Sequence, residues 1–255
     1  MRSTFLFGSE RGVDMIASKT APDVWRHARW EIATLTGLVW LALSPGVFAQ
    51  HQPADHSQHR RPPDIKEYIE SLERPDRDRD QQPARVVGAL VLKPGMAVAD
   101  LGAGSGYFTR RFVEAVGETG KVYVIDVEQE LLTYTKESLE RMHRPFTVEF
   151  ILAQPDNPNL PMRSVDLIFL CNTYHHLEDR STYFSNVRTA LKSAGRLAII
   201  DFYHDQRSGN VGFPRQHLVA RDTAVAEMAK AGFKLVKEHD FLERQYFLEF
   251  APIAR

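Results

Sequence analysis

The stretch ADLGAGSGYFT, residues 99–109, places three glycines directly after an aspartate that ends an apolar run. Glycine has no Cβ, so a ligand can approach the main chain closely and the turn can adopt positive φ. The run before the loop predicts a buried strand, and the residues after it predict a helix whose free N–H groups face the loop. The stretch therefore predicts an anion-binding turn between a strand and a helix.

The spacing of Gly102, Gly104 and Gly106 narrows the choice of ligand. A dinucleotide-binding fold requires G-x-G-x-x-G, whereas here the third glycine comes one residue early and Tyr107 stands where that pattern needs glycine. The pattern G-x-x-x-x-G-K-S/T does not occur, so nucleoside triphosphate hydrolysis has no support. A nicotinamide-dependent oxidoreductase is an alternative that this spacing disfavours.

Apolar runs and helical patterns alternate along the chain beyond residue 96. Short buried strands joined by helices predict right-handed crossovers and a parallel sheet that is covered on both faces. The predicted strands are 97–101, 121–126, 148–153, 165–171 and 196–201, and the predicted helices between them are 107–116, 129–143 and 181–191.

The two ends of this pattern differ from its middle. Asp64 begins a capping box before an amphipathic helix that ends before Pro75, and a second helical pattern covers 84–90. After a helix over 222–231, two strand-like runs at 233–240 and 245–250 are joined by a link too short for a parallel crossover. The whole pattern predicts a doubly wound, Rossmann-like α/β fold with a seven-stranded sheet, mostly parallel, with an antiparallel C-terminal hairpin.

The charge and cysteine content limit the classes of partner. The chain has 32 Lys and Arg against 33 Asp and Glu, so no overall field attracts it to nucleic acid, and we expect a small-molecule partner. Cys171 is the only cysteine and lies in an apolar run, which predicts a buried residue without a catalytic role. No Cys/His set has zinc spacing, so we expect no metal.

The N-terminal part is unlike the rest of the chain. An apolar stretch over 32–43 follows basic residues and precedes Val47-Phe48-Ala49, which predicts a signal peptide over 1–49 with cleavage before Gln50 and a periplasmic or secreted protein. The long region before the apolar stretch is explained by a translation start at Met15 or by an uncleaved membrane anchor, and the alternatives to export are a cytoplasmic or a membrane-anchored protein. Residues 50–63 predict a flexible linker, and 64–255 form the predicted domain.

A second marker follows the glycine loop by about twenty residues. The apolar run VYVID, residues 122–126, ends in Asp126, where a carboxylate can accept both hydroxyls of a ribose. The order acidic residue, any residue, G-x-G-x-G is fully matched at 100–106, and with Asp126 it resembles class I S-adenosylmethionine-dependent methyltransferases.

Three further segments carry a narrower resemblance. LERPDRDRDQQP (72–83), NTYHHLED (172–179) and FLERQYFLEF (241–250) are similar to a bacterial group of predicted small-molecule methyltransferases, many with exported N-termini. That group usually carries Trp at the position of Asp80, so a stacking role of the tryptophan does not carry over.

The resemblance implies S-adenosylmethionine as the cofactor. The glycine loop would line the methionyl part, Asp100 would act on its ammonium directly or through water, and Asp126 would bind the ribose, with Glu128 as a second candidate. Asp156 would meet the adenine amine. The cofactor-binding residues expected are Asp100, Gly102, Ala103, Gly104, Gly106, Asp126, Glu128, Asp156 and Asn172.

The acceptor is expected at the loop after the fourth strand, because ligands of doubly wound sheets bind beyond the carboxyl ends of the strands. Asn172, Tyr174, His175 and His176 are the candidates there, and one histidine would serve as a general base. In the alternative interpretation, His176 packs beneath the following helix and Asn172 caps a turn. Weaker candidates are the 201–205 loop and a lid over 213–217 containing Arg215 and His217.

These motifs together predict S-adenosylmethionine-dependent methyl transfer to a small organic acceptor. The alternative is a protein of the same fold that binds an adenosyl ligand without turnover. The N-terminal segment, if uncleaved, would be the only contact with a membrane.

Overall fold

The computed structural model describes residues 64–212 and 214–253. The predicted signal segment at 1–49 and the linker at 50–63 lie outside the described residues. Within the described ranges, no helix is both long enough and apolar enough to cross a bilayer.

A single seven-stranded sheet forms the centre of the domain, in the order β3-β2-β1-β4-β5-β7-β6. Strands β1 to β5 run parallel, and β7 pairs antiparallel with both β5 and β6. The strands are β1 Ala97–Leu101, β2 Lys121–Asp126, β3 Thr147–Leu152, β4 Val165–Cys171, β5 Leu191–Phe202, β6 Phe233–His239 and β7 Gln245–Pro252. The doubly wound, mostly parallel fold with an antiparallel C-terminal hairpin is confirmed.

Seven α-helices connect or flank the strands in the described ranges. They are α1 Ile65–Leu72, α2 Arg77–Gln81, α3 Pro83–Ala89, α4 Thr109–Val116, α5 Gln129–Glu140, α6 Arg180–Val187 and α7 Arg221–Lys230. Asp64 caps α1 as expected, since its Oδ1 accepts from the N–H groups of Lys66 and Glu67 at 2.8 and 3.1 Å. The short helix α2 was not expected from the sequence.

Alternate residues of the strands build two apolar layers, one on each face of the sheet. Val98 of β1 packs in the layer with Phe112 of α4, whereas its neighbour Ala99 packs in the layer with Phe184 of α6. This alternation follows from the two-residue period of a strand, and it explains why the central strands are apolar throughout.

The strand order reverses direction between β1 and β4, because the chain moves outward through β2 and β3 and then returns to the other side of β1. At such a switch point the loops at the carboxyl ends separate and leave a crevice. The fold therefore places the glycine loop and the loops after β2 and β4 around one crevice.

Candidate active site

A cavity of about 630 Å³ opens at the carboxyl ends of β1, β2 and β4. This volume lies within the range of small-molecule sites. Of the expected cofactor residues, Gly102, Ala103, Gly104, Asp126, Glu128 and Asn172 line the cavity, whereas Asp100, Gly106 and Asp156 do not.

The glycine loop approaches other parts of the protein as well as the cavity. Gly102 has φ of +74°, and a Cβ built there would lie 2.3 Å from the Oγ1 of Thr173. At Gly106 a Cβ would lie 2.5 Å from the Cγ2 of Thr135 in α5. The expectation that all three glycines face a ligand therefore needs correction, because Gly106 is required by contact with a neighbouring helix.

Asp126 joins the loop after β1 to the loop after β2. Its Oδ2 accepts a hydrogen bond from the backbone N–H of Gly104 at 2.8 Å, and its Oδ1 accepts from the N–H of Glu128 at 3.1 Å. Burial raises the pKa of Asp126, while these N–H donors act in the opposite direction. A buried carboxylate on the cavity wall can accept hydrogen bonds from the hydroxyls of a ribose.

Asp100 lies behind the glycine loop, so it has no surface on the cavity. Its Oδ2 accepts from the hydroxyl of Thr109, at the start of α4, across 2.6 Å. Burial raises the pKa of Asp100 to about 7. This carboxyl supports the strand-to-helix turn, and direct contact with a methionyl ammonium does not agree with its placement.

The loop after β3 meets the cavity through different residues from those expected. Ala153, Gln154 and Pro155 line the cavity, whereas Asp156 is exposed and lies off the wall. Gln154, rather than Asp156, is therefore the polar residue that this loop places on the cavity wall.

Tyr174 turns away from the cavity into the core. It is fully buried, its hydroxyl donates to the Oε2 of Glu227 at 2.6 Å, and its ring stacks on Phe184 with centroids 5.5 Å apart. Burial, with Glu227 beside the hydroxyl, raises the pKa of Tyr174. The expectation that Tyr174 contacts an acceptor is corrected by this placement, which gives the residue a structural role.

Both histidines of the same loop line the cavity, although they are adjacent in sequence. His175 is buried, and its Nδ1 lies 2.8 Å from the Oδ1 of Asp201, whose Oδ2 accepts from the His175 backbone N–H at 2.9 Å. His176 is exposed, and its ring centroid lies 4.0 Å from that of His175. The alternative in which His176 packs beneath a helix does not match its exposure.

Of the weaker acceptor candidates, some line the cavity and others lie away from it. In the 201–205 loop, Phe202 lines the cavity, whereas Asp205 points to solvent and pairs with Arg207 at 2.7 Å. Arg215 and His217 lie off the cavity, and the segment before them lines it through Asn210, Val211 and Gly212. Phe213 lies outside the described residues.

Several cavity residues were not expected from the sequence. They come from the segment before β1 and from the start of β7, and they are Tyr68, Arg74, Arg77, Asp80, Gln81, Arg244 and Gln245. Two of them form hydrogen bonds to the end of β4 and the loop after it. Gln81 donates to the sulfur of Cys171, the last residue of β4, at 3.4 Å, and Gln245 donates to the Oδ1 of Asn172 at 2.5 Å. Except for Tyr68, which lies in the first predicted helix, these residues belong to the segments 72–83 and 241–250, to which no ligand role was assigned from the sequence.

Cys171 lies on the cavity wall rather than only in an apolar layer. Burial raises the pKa of its thiol to about 12, so the sulfur stays protonated at neutral pH. In the described ranges, no group of three or more His, Cys, Asp or Glu side chains is arranged to hold a metal ion.

Comparison with known proteins agrees with this geometry. Residues 98–195 match a family model described as a methyltransferase domain. The ubiquinone/menaquinone biosynthesis C-methyltransferase UbiE of Escherichia coli is 29% identical over 111 residues, which are 44% of this chain and 44% of that protein. The chain thus matches less than half the length of this curated relative.

Solved structures extend the likeness to most of the domain. A SAM-dependent methyltransferase from Aquifex aeolicus superposes with a TM-score of 0.67 at 27% identity, covering 73% of this chain and 97% of that one. A TehB-like SAM-dependent methyltransferase from Corynebacterium glutamicum gives a TM-score of 0.54 at 15% identity, covering 73% of this chain and 99% of that one, and supports the fold alone.

The glycine loop, the carboxylate after β2, the strand order and these likenesses agree with one another. Residues 98–195 match the methyltransferase-domain model, and the chain has the fold of S-adenosylmethionine-dependent methyltransferases, which implies S-adenosylmethionine as the cofactor.

Proposed function

We propose that the protein transfers the methyl group of S-adenosylmethionine to a small organic acceptor. The observation that carries the proposal is the cavity in which the backbone of Gly102 and Gly104 and the carboxylate of Asp126 meet. A side chain at Gly104 would project beside Leu72, and its absence leaves the peptide groups of the loop accessible.

The described residues fit the cofactor on chemical grounds. Asp126 would accept hydrogen bonds from the ribose hydroxyls, Gly102 and Gly104 would lie along the methionyl part, and Gln154 would meet the base. S-adenosylmethionine supplies a methyl group already activated on a sulfonium, so the main task of the protein is to align an acceptor with it. Asn172 is half-buried on the cavity wall, and Gln245 fixes its side chain by donating to its Oδ1.

His176 is the residue we propose as the general base for acceptors that must lose a proton. It is an exposed imidazole on the cavity wall, and histidine is the side chain that most often serves as a general base. His175 lies beneath it and is held through two hydrogen bonds to Asp201. We assign to His175 and Asp201 the positioning of this wall.

The acceptor is not carried over from UbiE, because the similarity covers less than half of each chain. We propose a small organic acceptor because the cavity holds about 630 Å³ in total, shared with the cofactor.

Substituting His176→Gln should lower kcat for proton-losing acceptors and remove the acidic limb of the pH profile. The control is His204→Gln, since His204 is exposed and lies off the cavity.

The proposed activity is tested by titration with S-adenosylmethionine followed by a methyl-donor consumption assay on a metabolite panel. Binding in the micromolar range with turnover is expected. Binding without turnover on any acceptor would favour the alternative of a non-catalytic adenosyl-binding protein. Stabilisation by NAD and none by S-adenosylhomocysteine in a thermal-shift assay would instead favour the oxidoreductase.

We also propose that the chain is exported, on the basis of the basic and apolar pattern that precedes Gln50. Fractionation of native cells, with N-terminal sequencing of the recovered protein, tests this proposal. A processed N-terminus at Gln50 in the periplasm or medium is expected, and an unprocessed protein recovered wholly from the cytoplasm would overturn it.

A further inference from the structure

Three arginines line the cavity in the described ranges, and they differ in their partners. Arg74 and Arg244 both pair with the Oδ2 of Asp80, at 3.0 and 3.3 Å. Arg77 forms no ion pair within 4 Å with any described carboxylate, so its charge has no direct counterion in the part of the chain that the structure describes.

Neutral groups hold Arg77 in place. Its Nε donates to the Oε1 of Gln81 at 2.9 Å, its Nη1 donates to the carbonyl of Leu72 at 2.5 Å, and its guanidinium carbon lies 3.8 Å from the ring centroid of Tyr107. Burial lowers the pKa of Arg77, yet a guanidinium remains protonated at neutral pH. Holding a partly buried cation in one orientation beside a cavity costs desolvation free energy, which a neighbouring anion offsets.

The surroundings place this cation beside the glycine loop. Tyr107, on whose ring Arg77 lies, directly follows Gly106. Leu72, whose carbonyl accepts from Arg77, has its Cδ1 3.2 Å from the position of a Cβ on Gly104. Arg77 therefore belongs to the wall at which the proposed function puts the methionyl part of the cofactor.

Resting on the proposed function, we propose that Arg77 binds the α-carboxylate of the methionyl part of S-adenosylmethionine. The two hydrogen bonds of Arg77 use Nε and Nη1, and Nη2 has no acceptor among the described residues. A guanidinium presents paired N–H groups that match the geometry of a carboxylate. The buried carboxyl of Asp100 cannot pair with the α-carboxylate of the ligand, because it carries no positive charge in either protonation state. The α-carboxylate would in turn be the counterion that the described residues do not give Arg77.

The test compares two ligands that differ in the amino acid part. S-adenosylhomocysteine carries the α-carboxylate, and 5′-methylthioadenosine lacks both the amino and the carboxylate groups. For Arg77→Met, we expect calorimetric titration to show a loss of about tenfold or more in affinity for S-adenosylhomocysteine and an affinity for 5′-methylthioadenosine within about twofold of the wild type. Arg77→Lys, which keeps the charge but not the fork, should recover part of the loss.

The matched control is Arg221→Met, which removes an arginine that already has Glu238 as a partner and lies off the cavity. It should change both affinities by less than about threefold. An equal loss of both ligands in folded Arg77→Met protein would overturn the proposal in favour of a scaffold role, as would an unchanged affinity for S-adenosylhomocysteine. A wild type that binds neither ligand would instead refute the proposed function itself.

Discussion

The backbone N–H of Gly104 donates to the carboxylate of Asp126 across 2.8 Å, which ties the loop after β1 to the end of β2. The two residues are 22 positions apart, but their strands pair directly, with Leu101 opposite Ile125. One buried carboxylate therefore both shapes the glycine loop and presents an acceptor to the cavity. This dual duty makes Asp126 the most informative residue for mutation.

Substituting Asp126→Asn should weaken binding of S-adenosylhomocysteine by about tenfold or more. The amide replaces charge-assisted hydrogen bonds to the ribose, which contribute about 1.5–3 kcal/mol, by neutral ones. Isothermal titration calorimetry gives the dissociation constant. Asp156→Asn is the control, because Asp156 is exposed off the cavity wall. Equal affinities for the wild type and Asp126→Asn would remove Asp126 from the ribose site.

Substituting Gly102→Ala should destabilise the fold by about 1–3 kcal/mol, because the residue has φ of +74° and its new methyl group would collide with Thr173. Gly88→Ala provides the matched control. Gly88 lies in α3 with open space around its Cβ position, so this variant should be stabilised by about 0.4–1 kcal/mol. Urea unfolding of both variants measures the difference, and a Gly102→Ala protein as stable as the wild type would show that the loop can relax.

The stability of the protein should depend on pH through Asp100. Its pKa is raised from 3.8 to about 7 in the folded state, so between these values the folded protein holds a proton that the unfolded chain releases. The contribution of Asp100 to stability therefore falls as the pH rises through this window and is lowest above about pH 7.

Substituting Asp100→Asn removes that dependence while keeping an oxygen that can accept from Thr109. The difference in Tm between the variant and the wild type should be more positive at about pH 8 than at about pH 5. The exposed Asp222 offers a control, since Asp222→Asn should show a small difference that does not vary in this way. The same Tm difference for Asp100→Asn at both pH values would argue that Asp100 is not buried as described.

Substituting Tyr174→Phe separates a structural from a catalytic role. The change removes the hydroxyl that donates to Glu227, which keeps its two hydrogen bonds from Arg180, so we expect a loss of about 1–3 kcal/mol in unfolding free energy. Because Tyr174 lies off the cavity, kcat and the affinity for S-adenosylhomocysteine should stay within about twofold. A large fall in kcat without a loss of stability would return Tyr174 to the acceptor site.

Much of the fold was predictable from the sequence because buried parallel strands and their connecting helices leave strong local patterns. Helix α2 was missed, since RDRDQ has no apolar period and its position depends on contacts of Arg77 with Leu72 and Tyr107. Strand β5 begins at Leu191, before the expected residue 196, because it pairs there with Val165 of β4.

Site residues were predictable where their position at a strand end alone places them on the cavity wall. Gly102, Gly104 and Asp126 were found from their positions at strand ends, and they do line the cavity. Tyr174 was misplaced because successive residues of its 3-10 turn point in different directions, a choice that local sequence does not reveal. Gly106 depends on Thr135, a partner 29 positions away, which is visible only once α5 packs against the loop.

A crystal structure of the protein with S-adenosylhomocysteine tests the central claim most directly. The account predicts the ligand in the cavity at the ends of β1 and β2, with both ribose hydroxyls about 2.5–3.0 Å from the carboxylate of Asp126 and the amino acid part along Gly102 and Gly104. A ligand bound elsewhere, with Asp126 still holding only Gly104 and Glu128, would contradict it.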